Sequence, residues 1–382
     1  MKSRMRRRGG MCMSAESLRV GLVGCGEHGA GTLLPTLASL GRTPVAVCDL
    51  DREKAHTAAE LFRIPAAYDS TSAMFRAEDL DAVVLAGPPS MHVEALSLAA
   101  DHRVHAFVEK PPAVSLHQVE WLAERFRDAG LVSMVGHNLR HSDAWIGLQA
   151  LLMRPEFGSV ISMSLSYTAS GPRGGRWGLG TLDALLLTHA IHALDLVSTC
   201  FEKLSLTHAV FHQLCDGSAV LSLTLSAPGD RSAHVIVATG SPRFELNACL
   251  VTDAGRVIRV ESARTLRYSA DTGARTGHPE GLRLEEQWIP RTLDGGFRAA
   301  GYERELHAFL AAAAGVREIG PSLDDELTVY RLFDGIRDFV DPQAGVAHIN
   351  GGPRANRSPL GSSLRKPGDR NHVVQPVSGG PQ

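Results

Sequence analysis

The feature that most constrains the fold is a regular alternation of short apolar runs with helical patterns between residues 18 and 135. The predicted strands are residues 18–23, 44–48, 82–85, 105–108 and 132–135, and the predicted helices are residues 30–39, 52–61, 92–100 and 116–129. Alternation of this length favours right-handed βαβ units. It therefore predicts an α/β fold in which a doubly wound parallel sheet is covered by helices on both faces.

A glycine-rich loop follows the first predicted strand. Gly24, Gly26 and Gly29 form the pattern G-x-G-x-x-G, with Glu27 and His28 between the last two glycines. The first glycine permits a tight turn, the second lets a pyrophosphate approach the backbone, and the third allows close packing of helix on strand. The phosphates then lie at a helix N-terminus, which favours anions. Because the loop joins an apolar strand to a helix, it predicts a dinucleotide-binding site that includes these five residues.

An acidic residue follows the second predicted strand. Asp49 lies twenty residues after Gly29. A carboxylate at this point accepts hydrogen bonds from the ribose hydroxyls of NAD and repels the 2′-phosphate of NADP. The sequence therefore favours NAD, and Arg52 leaves NADP open as the cofactor. The alternative for Asp49 is a turn or capping residue.

Two further strand ends carry polar residues. The third predicted strand leads into a loop in which Pro88 and His92 are expected to contact the nicotinamide half of the cofactor, although His92 also fits a plain helix-start residue. The fourth ends in Glu109 and Lys110, and the two prolines that follow can neither continue a strand nor donate to a sheet. In an open parallel sheet, ligands bind in the crevice beyond these ends. Lys110 is therefore a candidate site residue, against the alternative of a surface lysine.

The pattern changes after residue 136. A helix over residues 143–153, a strand over 160–167 and an apolar helix over 182–200 precede a series of strands and two final helices. Those strands are predicted at residues 206–214, 219–225, 234–239, 244–252 and 256–261, and the helices at 302–314 and 324–339. Consecutive strands joined by short turns predict an α+β domain with an open-faced, largely antiparallel sheet.

The predicted organisation is therefore a basic disordered arm over residues 1–17, a dinucleotide-binding Rossmann domain over 18–141, a substrate-binding and oligomerisation domain over 142–342, and a disordered tail over 343–382. The tail is rich in Gly, Pro and Ser and has few large apolar side chains with which to repay the entropy of ordering.

Composition limits the classes of partner. The net charge of -2 gives no overall attraction to nucleic acid or to an anionic membrane, so neither is expected as a partner. No apolar stretch is long enough for a membrane-spanning helix. The six cysteines contain no C-x-x-C pair, so neither a disulfide framework nor a metal site is expected, and a reducing cytoplasmic location is predicted.

The successive motifs resemble one protein family. The glycine loop, the Gly-Pro-Pro-Ser-x-His stretch from Gly87 to His92, the Glu-Lys-Pro run at Glu109 and the Gly-His-Asn-Leu-Arg run from Gly136 to Arg140 resemble the signatures of the Gfo/Idh/MocA family of NAD(P)-dependent oxidoreductases. The resemblance covers residues 18–339 and is strongest in the first predicted domain. It implies a catalytic lysine at Lys110, followed by a cis peptide bond, and a second domain that binds substrate and forms homodimers or homotetramers.

The family also has an Asp followed four residues later by a His on a helix of the second domain. His192 matches that histidine and Asp195 also matches, but Thr188 stands where the family has its Asp. At helical spacing these three positions share one face and are expected to look into one cleft. His189 and Asp183 lie off that face. The resemblance implies that His192 is catalytic, whereas a lone histidine is by default a satisfied core residue.

The resemblance implies hydride transfer between NAD(P) and a secondary alcohol or ketone of a sugar, amino sugar, cyclitol or related polyol. A histidine that titrates near neutral pH is suited to take the hydroxyl proton, while the Lys110 ammonium favours alkoxide character on the same oxygen. A polar small-molecule substrate is expected to contact these two residues and Thr188, Arg140, Asp195 and Trp177, and Asn138 is expected beside the cofactor. Two other hypotheses stay open: a non-catalytic dinucleotide-binding regulator, and a lyase or hydrolase that uses NAD transiently.

A glycine-rich loop over residues 171–178 has two alternative interpretations. It carries Arg173, Arg176 and Trp177. Such a loop suits a lid over a hydroxylated or anionic substrate, because Arg binds carboxylate or phosphate and Trp covers a sugar face. It fits a plain surface loop equally well.

Overall fold

The first part of the chain forms one parallel sheet. The computed structural model describes residues 17–269, 285–289, 296–316 and 320–341. The strands are β1 (Val20–Val23), β2 (Ala46–Cys48), β3 (Ala66–Tyr68), β4 (Ala82–Leu85), β5 (His105–Glu109) and β6 (Ser133–Gly136). They lie in the order β3-β2-β1-β4-β5-β6, and every neighbouring pair is parallel. The strand order reverses between β1 and β4, which places the ligand crevice of a doubly wound sheet beside the glycine loop.

Helices connect these strands and cover the sheet. A π-helical turn (Gly29–Leu33) runs into α1 (Leu34–Ser39), and the later helices are α2 (Arg52–Phe62), α3 (Thr71–Ala77), α4 (Pro89–His102) and α5 (Leu116–Ala129). Asp51, Ser70 and Ser115 cap α2, α3 and α5 by accepting hydrogen bonds from backbone N–H groups of the first turn. These side chains satisfy donors that a helix leaves free at its start.

The sequence pattern missed β3 and α3. β3 has only three residues, Ala-Ala-Tyr, and all three are half-buried at the edge of the sheet. A run of three residues that directly follows Pro65 is too short for the sequence pattern to distinguish from a loop.

The rest of the chain forms a second, mixed sheet with helices. A 3-10 turn (Asn138–His141), α6 (Asp143–Leu152) and a second 3-10 turn (Pro155–Phe157) lead into β7 (Val160–Ala169). The next elements are α7 (Thr181–Leu185), a second π-helical turn (Leu186–Ala190), α8 (Ile191–Ser198), β8 (Ser205–Gln213), β9 (Ala219–Ala227), β10 (Arg231–Thr239), β11 (Glu245–Thr252), β12 (Val257–Glu261), β13 (Thr265–Ser269), β14 (Glu285–Trp288), α9 (Gly296–Ala299), α10 (Tyr302–Ala313) and α11 (Leu323–Val340).

The order of the second sheet is β14-β13-β12-β11-β7-β10-β9-β8. Its neighbouring strands are antiparallel except for β7 and β10, which run parallel. The predicted fold class is therefore confirmed. One face packs against the helix that runs from α7 to α8, and Leu221, Leu223 and Leu225 of β9 are buried there. The alternate residues of β9 are half-buried on the opposite face, as the period of two predicts.

The last two helices pack against helices and strands of the first sheet. The ring of Phe309 on α10 lies 5.8 Å from that of Phe107 on β5. The hydroxyl of Tyr330 on α11 donates a hydrogen bond of 2.6 Å to the Ala113 carbonyl. These contacts place α10 and α11 beside the crevice at the end of β5.

The predicted boundaries of the two domains stay a prediction. Nearly all of the predicted arm and the whole of the predicted tail lie outside the described residues. Within the described ranges, no helix is both long and apolar enough to span a lipid bilayer.

Candidate active site

The three glycines of the first loop have different surroundings. A Cβ on Gly24, which has a φ of +96°, would lie 1.9 Å from the Ala86 carbonyl oxygen, and a Cβ on Gly29 would lie 1.8 Å from the Gly24 oxygen. A Cβ on Gly26 would meet no protein atom within 4 Å, and Gly26 lines an open cavity. Packing therefore explains two of the glycines, whereas Gly26 leaves free space of the kind a pyrophosphate needs.

Alanine at Gly26 is expected to weaken NAD binding by about tenfold or more, because the added methyl group occupies space that a phosphate must approach. The thermal midpoint of the free protein should not fall, since no protein atom is displaced. Calorimetric titration with NAD measures the first effect and differential scanning fluorimetry the second. Gly31→Ala is the matched control, because its Cβ also meets no atom within 4 Å but Gly31 does not line the cavity. Equal NAD affinity in both variants would contradict this role for Gly26.

Asp49 braces the glycine loop. One of its carboxylate oxygens accepts a 2.7 Å hydrogen bond from the Cys25 backbone N–H, and the other accepts one of 2.9 Å from that of Asp51. The carboxylate thus stands beside the glycine loop at the end of β2. It does not line the cavity itself, so its contact with a ribose stays a prediction.

A cavity of 620 Å³ lies between the two sheets. Gly26, Glu27, His28, Pro88, Glu109, Lys110 and Asn138 line it from the strand ends of the first sheet. Asn138 also donates a 2.9 Å hydrogen bond to the Ala300 carbonyl. With Trp177, Thr188 and His192 on the opposite side, the structure brings ten of the predicted site residues to one cavity. The size of the cavity fits a small-molecule or cofactor site.

Lys110 lies at the end of β5 and spans the crevice. Its Nζ donates a 3.2 Å hydrogen bond to the Thr188 carbonyl on the helix of the second part. Burial lowers the pKa of Lys110, Glu109 opposes this shift, and the positive charge of Arg176 lowers the pKa further. The Lys110–Pro111 peptide bond is cis, as the resemblance implies.

Glu109 and His28 face each other at the edge of the cavity. Glu109 Oε1 lies 2.9 Å from His28 Nε2, which is ion-pair distance, yet the angles are not those of a hydrogen bond, and neither buried atom has another hydrogen-bond partner among the described residues. The His28 ring also meets the Tyr302 ring edge-on at 5.5 Å. Buried polar atoms without partners beside the glycine loop fit a site that receives a polar ligand.

His92 links two loops instead of lining the cavity. Its Nε2 accepts a 2.8 Å hydrogen bond from the Gly87 N–H, and its Nδ1 donates to the Pro111 carbonyl at 2.9 Å. Burial lowers the pKa of His92 to about 4, so the ring is neutral. His92 was predicted to contact the cofactor. In the structure its side chain instead holds the loop after Lys110 in position.

The helix carrying His192 departs from regular α-helical spacing. Residues 186–190 form a π-helical turn, in which hydrogen bonds join residues five apart. The extra residue in the turn rotates the side chains, so His189, expected to lie off the cleft face, lines the cavity. The ring of His189 donates from Nε2 to the Gly171 carbonyl, and burial lowers the pKa of His189 to about 4.

Thr188 lines the cavity mainly through its backbone. Its hydroxyl donates a 2.5 Å hydrogen bond to the Ala184 carbonyl, while its own carbonyl receives Lys110. A hydroxyl bonded back into its own helix does not reproduce a carboxylate in the cleft.

His192 is buried at the wall of the cavity. Its ring stacks on Tyr167 at 6.1 Å with an interplanar angle of 10°, and Nδ1 has no hydrogen-bond partner among the described residues. Burial lowers the pKa of His192 well below its usual value, and nearby Lys110 lowers it further. A histidine that titrates near neutral pH was predicted at this position, but desolvation disfavours the imidazolium, so the His192 ring is neutral at neutral pH.

Arg140 and Asp195 lie behind His192 and do not line the cavity, so their contact with a substrate stays a prediction. Two nitrogens of the Arg140 guanidinium donate hydrogen bonds to the Asp195 carboxylate, and the longer of the two is 3.1 Å. His137 Nε2 donates to Glu326 Oε1 at 2.5 Å, and its Nδ1 lies 3.7 Å from Asp195 Oδ2. These four side chains form a buried charge network. The network supports His192, because the His137 ring meets the His192 ring edge-on at 5.7 Å.

Three members of the network have the composition of a metal site. The ligand atoms of His137, Asp195 and Glu326 lie within 4.8 Å of one another. However, His137 bonds directly to Glu326, and Arg140 neutralises Asp195. These contacts occupy His137 Nε2, Glu326 Oε1 and both oxygens of Asp195, whereas His137 Nδ1 and Glu326 Oε2 have no hydrogen-bond partner among the described residues.

Several residues that line the cavity were not predicted as site residues, and those with the largest polar side chains are His189, Arg176 and Tyr302. Regular helical spacing pointed away from His189. Arg176 was noted in its loop, where the surface alternative was equally good. Tyr302 begins α10, and no local pattern indicates that this helix returns to the first sheet.

Comparisons with known proteins agree with this geometry. Residues 18–137 match the family model described as "Oxidoreductase family, NAD-binding Rossmann fold". The crystal structure of a dehydrogenase from Chromobacterium violaceum is 30% identical, with a TM-score of 0.79, and the match covers 87% of this chain and 98% of that one.

Two curated relatives match over shorter segments. The dTDP-3,4-didehydro-2,6-dideoxy-alpha-D-glucose 3-reductase of Streptomyces violaceoruber is 30% identical over 41% of this chain. The D-xylose 1-dehydrogenase (NADP(+)) 2 of Haloferax volcanii is 27% identical over 40% of this chain. The match spans less than half of each relative, 45% of the first and 47% of the second.

The glycine loop, the Glu-Lys-Pro strand end, the two-sheet architecture and these matches together show that the chain belongs to the Gfo/Idh/MocA family of oxidoreductases with an NAD-binding Rossmann fold.

Proposed function

We propose that this protein transfers a hydride between NAD(P) and a secondary alcohol or ketone of a sugar, amino sugar, cyclitol or related polyol. The observation that carries the proposal is that Lys110, His192 and the open glycine Gly26 all line one cavity. When bound there, NAD(P) supplies the hydride acceptor or donor at its nicotinamide ring. The names of the two curated relatives, a sugar reductase and a sugar dehydrogenase, support the same reaction class.

The cofactor is proposed to lie along the first-sheet side of the cavity. Gly26 and the helix start at Gly29 receive the pyrophosphate, and Asp49 beside them favours NAD over NADP because its carboxylate repels a 2′-phosphate. Arg52, which had left NADP open, donates to His56 at 3.3 Å. Pro88, Glu109 and Asn138 line the path from this loop to Lys110.

The chain's own residues can manage the proton of the reaction. In the direction of alcohol oxidation, a neutral His192 takes the hydroxyl proton while the Lys110 ammonium stabilises the developing negative charge on the same oxygen. His189 is less suited to this task, because its Nε2 donates to Gly171 and its Nδ1 lies 3.4 Å from the Tyr167 hydroxyl. We therefore propose Lys110 and His192 as the catalytic residues.

The test is to incubate the protein with NAD+ or NADP+ and a panel of sugars and inositols, and to follow absorbance of the reduced cofactor. Net reduction with at least one polyol supports the proposal. Cofactor binding without reduction but with exchange of a substrate C–H for solvent deuterium would identify transient redox chemistry. Cofactor binding with neither reduction nor exchange would identify a non-catalytic regulator and overturn the proposal.

Assembly into a homodimer or homotetramer is also proposed. The face of the second sheet that the helices leave uncovered carries half-exposed side chains, and Ile236 on β10 is 48% exposed there. Such a face is a surface on which a second copy can pack. Sedimentation velocity tests this, since a single monomeric species at micromolar concentration would contradict it.

The five described cysteines are all unpaired, namely Cys25, Cys48, Cys200, Cys215 and Cys249. Free thiols fit a reducing compartment, and a cytoplasmic location is proposed on that ground.

A further inference from the structure

The wall of the cavity opposite the glycine loop carries positive charge. It is formed by Gly171, Arg176, Trp177, Thr188, His189 and His192, here named the helix-and-loop wall. None of these six residues is acidic, and Lys110 reaches across the cavity to the same wall. The two acidic residues that line the cavity, Glu27 and Glu109, lie on the side of the first sheet, where Glu109 faces His28 at 2.9 Å. The wall therefore presents positive charge to whatever binds between it and the cofactor side.

The loop that carries Arg176 is held at several points. The Gly171 carbonyl accepts from His189, and the Gly174 N–H donates a 2.6 Å hydrogen bond to the Gly217 carbonyl. The loop also folds closely on itself, since a Cβ on Gly175 would lie 2.1 Å from the Leu179 carbonyl oxygen. A loop tied in this way holds its side chains in defined positions.

Trp177 has a backbone conformation that L-residues rarely adopt. Its φ is +54°, in the left-handed region, and it lies at the wall of the cavity. A non-glycine residue in this region is strained, and such strain is found at ligand clamps more often than elsewhere. The strained backbone places the indole under the Arg176 guanidinium, which stacks over the ring at 4.7 Å.

Arg176 itself has no carboxylate partner among the described residues, although it is close enough to lower the pKa of Lys110 after the larger effect of burial. By contrast, Arg173 in the same loop lies 3.6 Å from Asp216. A planar guanidinium held on an aromatic ring, with its donors unoccupied, is suited to bind a carboxylate or phosphate bidentately.

We infer that the substrate is a polyol that carries an anionic group, a carboxylate or a phosphate, and that Arg176 on the Trp177 ring is the residue that selects it. This inference rests on the proposed function. The hydroxyl to be oxidised faces Lys110 and His192, while the anionic group lies toward Arg176. Oxidation passes the carbinol hydride to NAD(P)+ and the hydroxyl proton to His192, and the anionic group takes no part in the chemistry.

The experiment compares matched neutral and anionic substrates on the full-length protein with bound NAD+. D-Glucose is paired with D-glucuronate for the carboxylate arm and with glucose 6-phosphate for the phosphate arm, and the galactose series is treated in the same way. Wild-type kcat/KM is expected to be at least about tenfold higher for one anionic arm than for its neutral partner.

Arg176→Gln is expected to remove that preference, mainly by raising KM for the anionic partner. Arg173→Gln is the matched control and should keep the wild-type preference, because Arg173 does not line the cavity. Equal kcat/KM for neutral and anionic partners, or an unchanged preference in Arg176→Gln, would overturn the inference while leaving the proposed function intact.

If no polyol is oxidised, the proposed function fails. The preference for an anionic sugar is then tested separately, by measuring whether such sugars bind. Calorimetric titration of the NAD+ complex with glucuronate and with glucose 6-phosphate should then show binding of one of them that is lost in Arg176→Gln and kept in Arg173→Gln. No binding of either anion to the wild-type complex would overturn the inference as well.

Discussion

Alanine in place of Lys110 is expected to reduce kcat with the best substrate by about 10²- to 10³-fold and to leave NAD affinity nearly unchanged. Removing one donor that stabilises a developing oxyanion has an effect of this size in other enzymes. Lys110 Nζ contacts the helix-and-loop wall through the Thr188 carbonyl, so it lies between the cofactor side and His192. NAD binding should survive because the residues proposed to hold the pyrophosphate and the ribose, namely the glycine loop and Asp49, do not include Lys110.

The measurements are steady-state kinetics and a calorimetric titration with NAD on the same preparation. Lys54→Ala is the control, because Lys54 is an exposed lysine that pairs with Asp51 at 3.4 Å on α2. Wild-type turnover in Lys110→Ala would exclude a catalytic role for this lysine. A parallel loss of NAD binding would instead assign Lys110 to cofactor binding.

The pH profile gives a second view of the same residue. The pKa of Lys110 is lowered by burial, so an ammonium that stabilises alkoxide should begin to lose its proton below the ordinary lysine value of 10.5. The alkaline limb of kcat/KM is therefore expected to lie below pH 10.5. Because the pKa of His192 is lowered well below 6.5, the base should stay neutral, and active, in mildly acid solution.

The sequence was sufficient for those parts of the site that depend on local signals. The glycine loop, Asp49 and Lys110 each stand at the end of an apolar strand, and parallel strand ends meet at one edge of the sheet. The positions of these residues therefore follow from the order of strands and helices.

The π-helical turn over residues 186–190 shows where local signals fail. Regular helical spacing places His189 off the face that holds Thr188 and His192, but with the extra residue in this turn all three line the cavity. Asp195 instead turns to Arg140. A π-helical turn gives no clear sequence signal, because the apolar residues of this buried helix surround it on all sides.

Long-range packing is the second reason why parts of the site could not be predicted from the sequence. Tyr302 and Glu305 on α10 reach the first sheet although more than 160 residues separate them from β6. Glu305 is fully buried, and neither carboxyl oxygen has a hydrogen-bond partner among the described residues. Burial raises the pKa of Glu305 well above its usual value, and the nearby Glu109 and Asp195 add to this shift. A helical pattern alone cannot show which sheet its apolar face covers.

The buried charge network behind His192 is expected to be the most sensitive part of the fold. Glu326→Ala should lower the free energy of unfolding by about 3–5 kcal/mol, because it leaves a buried imidazole without its hydrogen-bond acceptor. His137 and Glu326 are both fully or almost fully buried, and their contact of 2.5 Å joins the end of β6 to α11. Chemical denaturation followed by circular dichroism measures the change.

Asp324→Ala is the matched control on the same helix. Asp324 is an exposed carboxylate that pairs with Arg127 at 2.5 Å, and exposed pairs of this kind contribute about 0–1 kcal/mol. Equal destabilisation by the two substitutions would show that the His137 contact is not a strong link between the two parts of the chain.

The pH dependence distinguishes a charged network from a neutral hydrogen bond. Burial disfavours the His137 imidazolium, but Asp195 and Glu326 outweigh this effect and raise the pKa of His137 above 6.5. A group whose pKa is raised by folding contributes its full stability below the unfolded value near 6.5, and that stability is lost as the pH rises through the folded pKa. The cost of Glu326→Ala should therefore be larger at pH 6 than at pH 9. A cost that does not change with pH would mean that His137 is neutral in the folded protein and that its contact with Glu326 is a neutral hydrogen bond, not an ion pair.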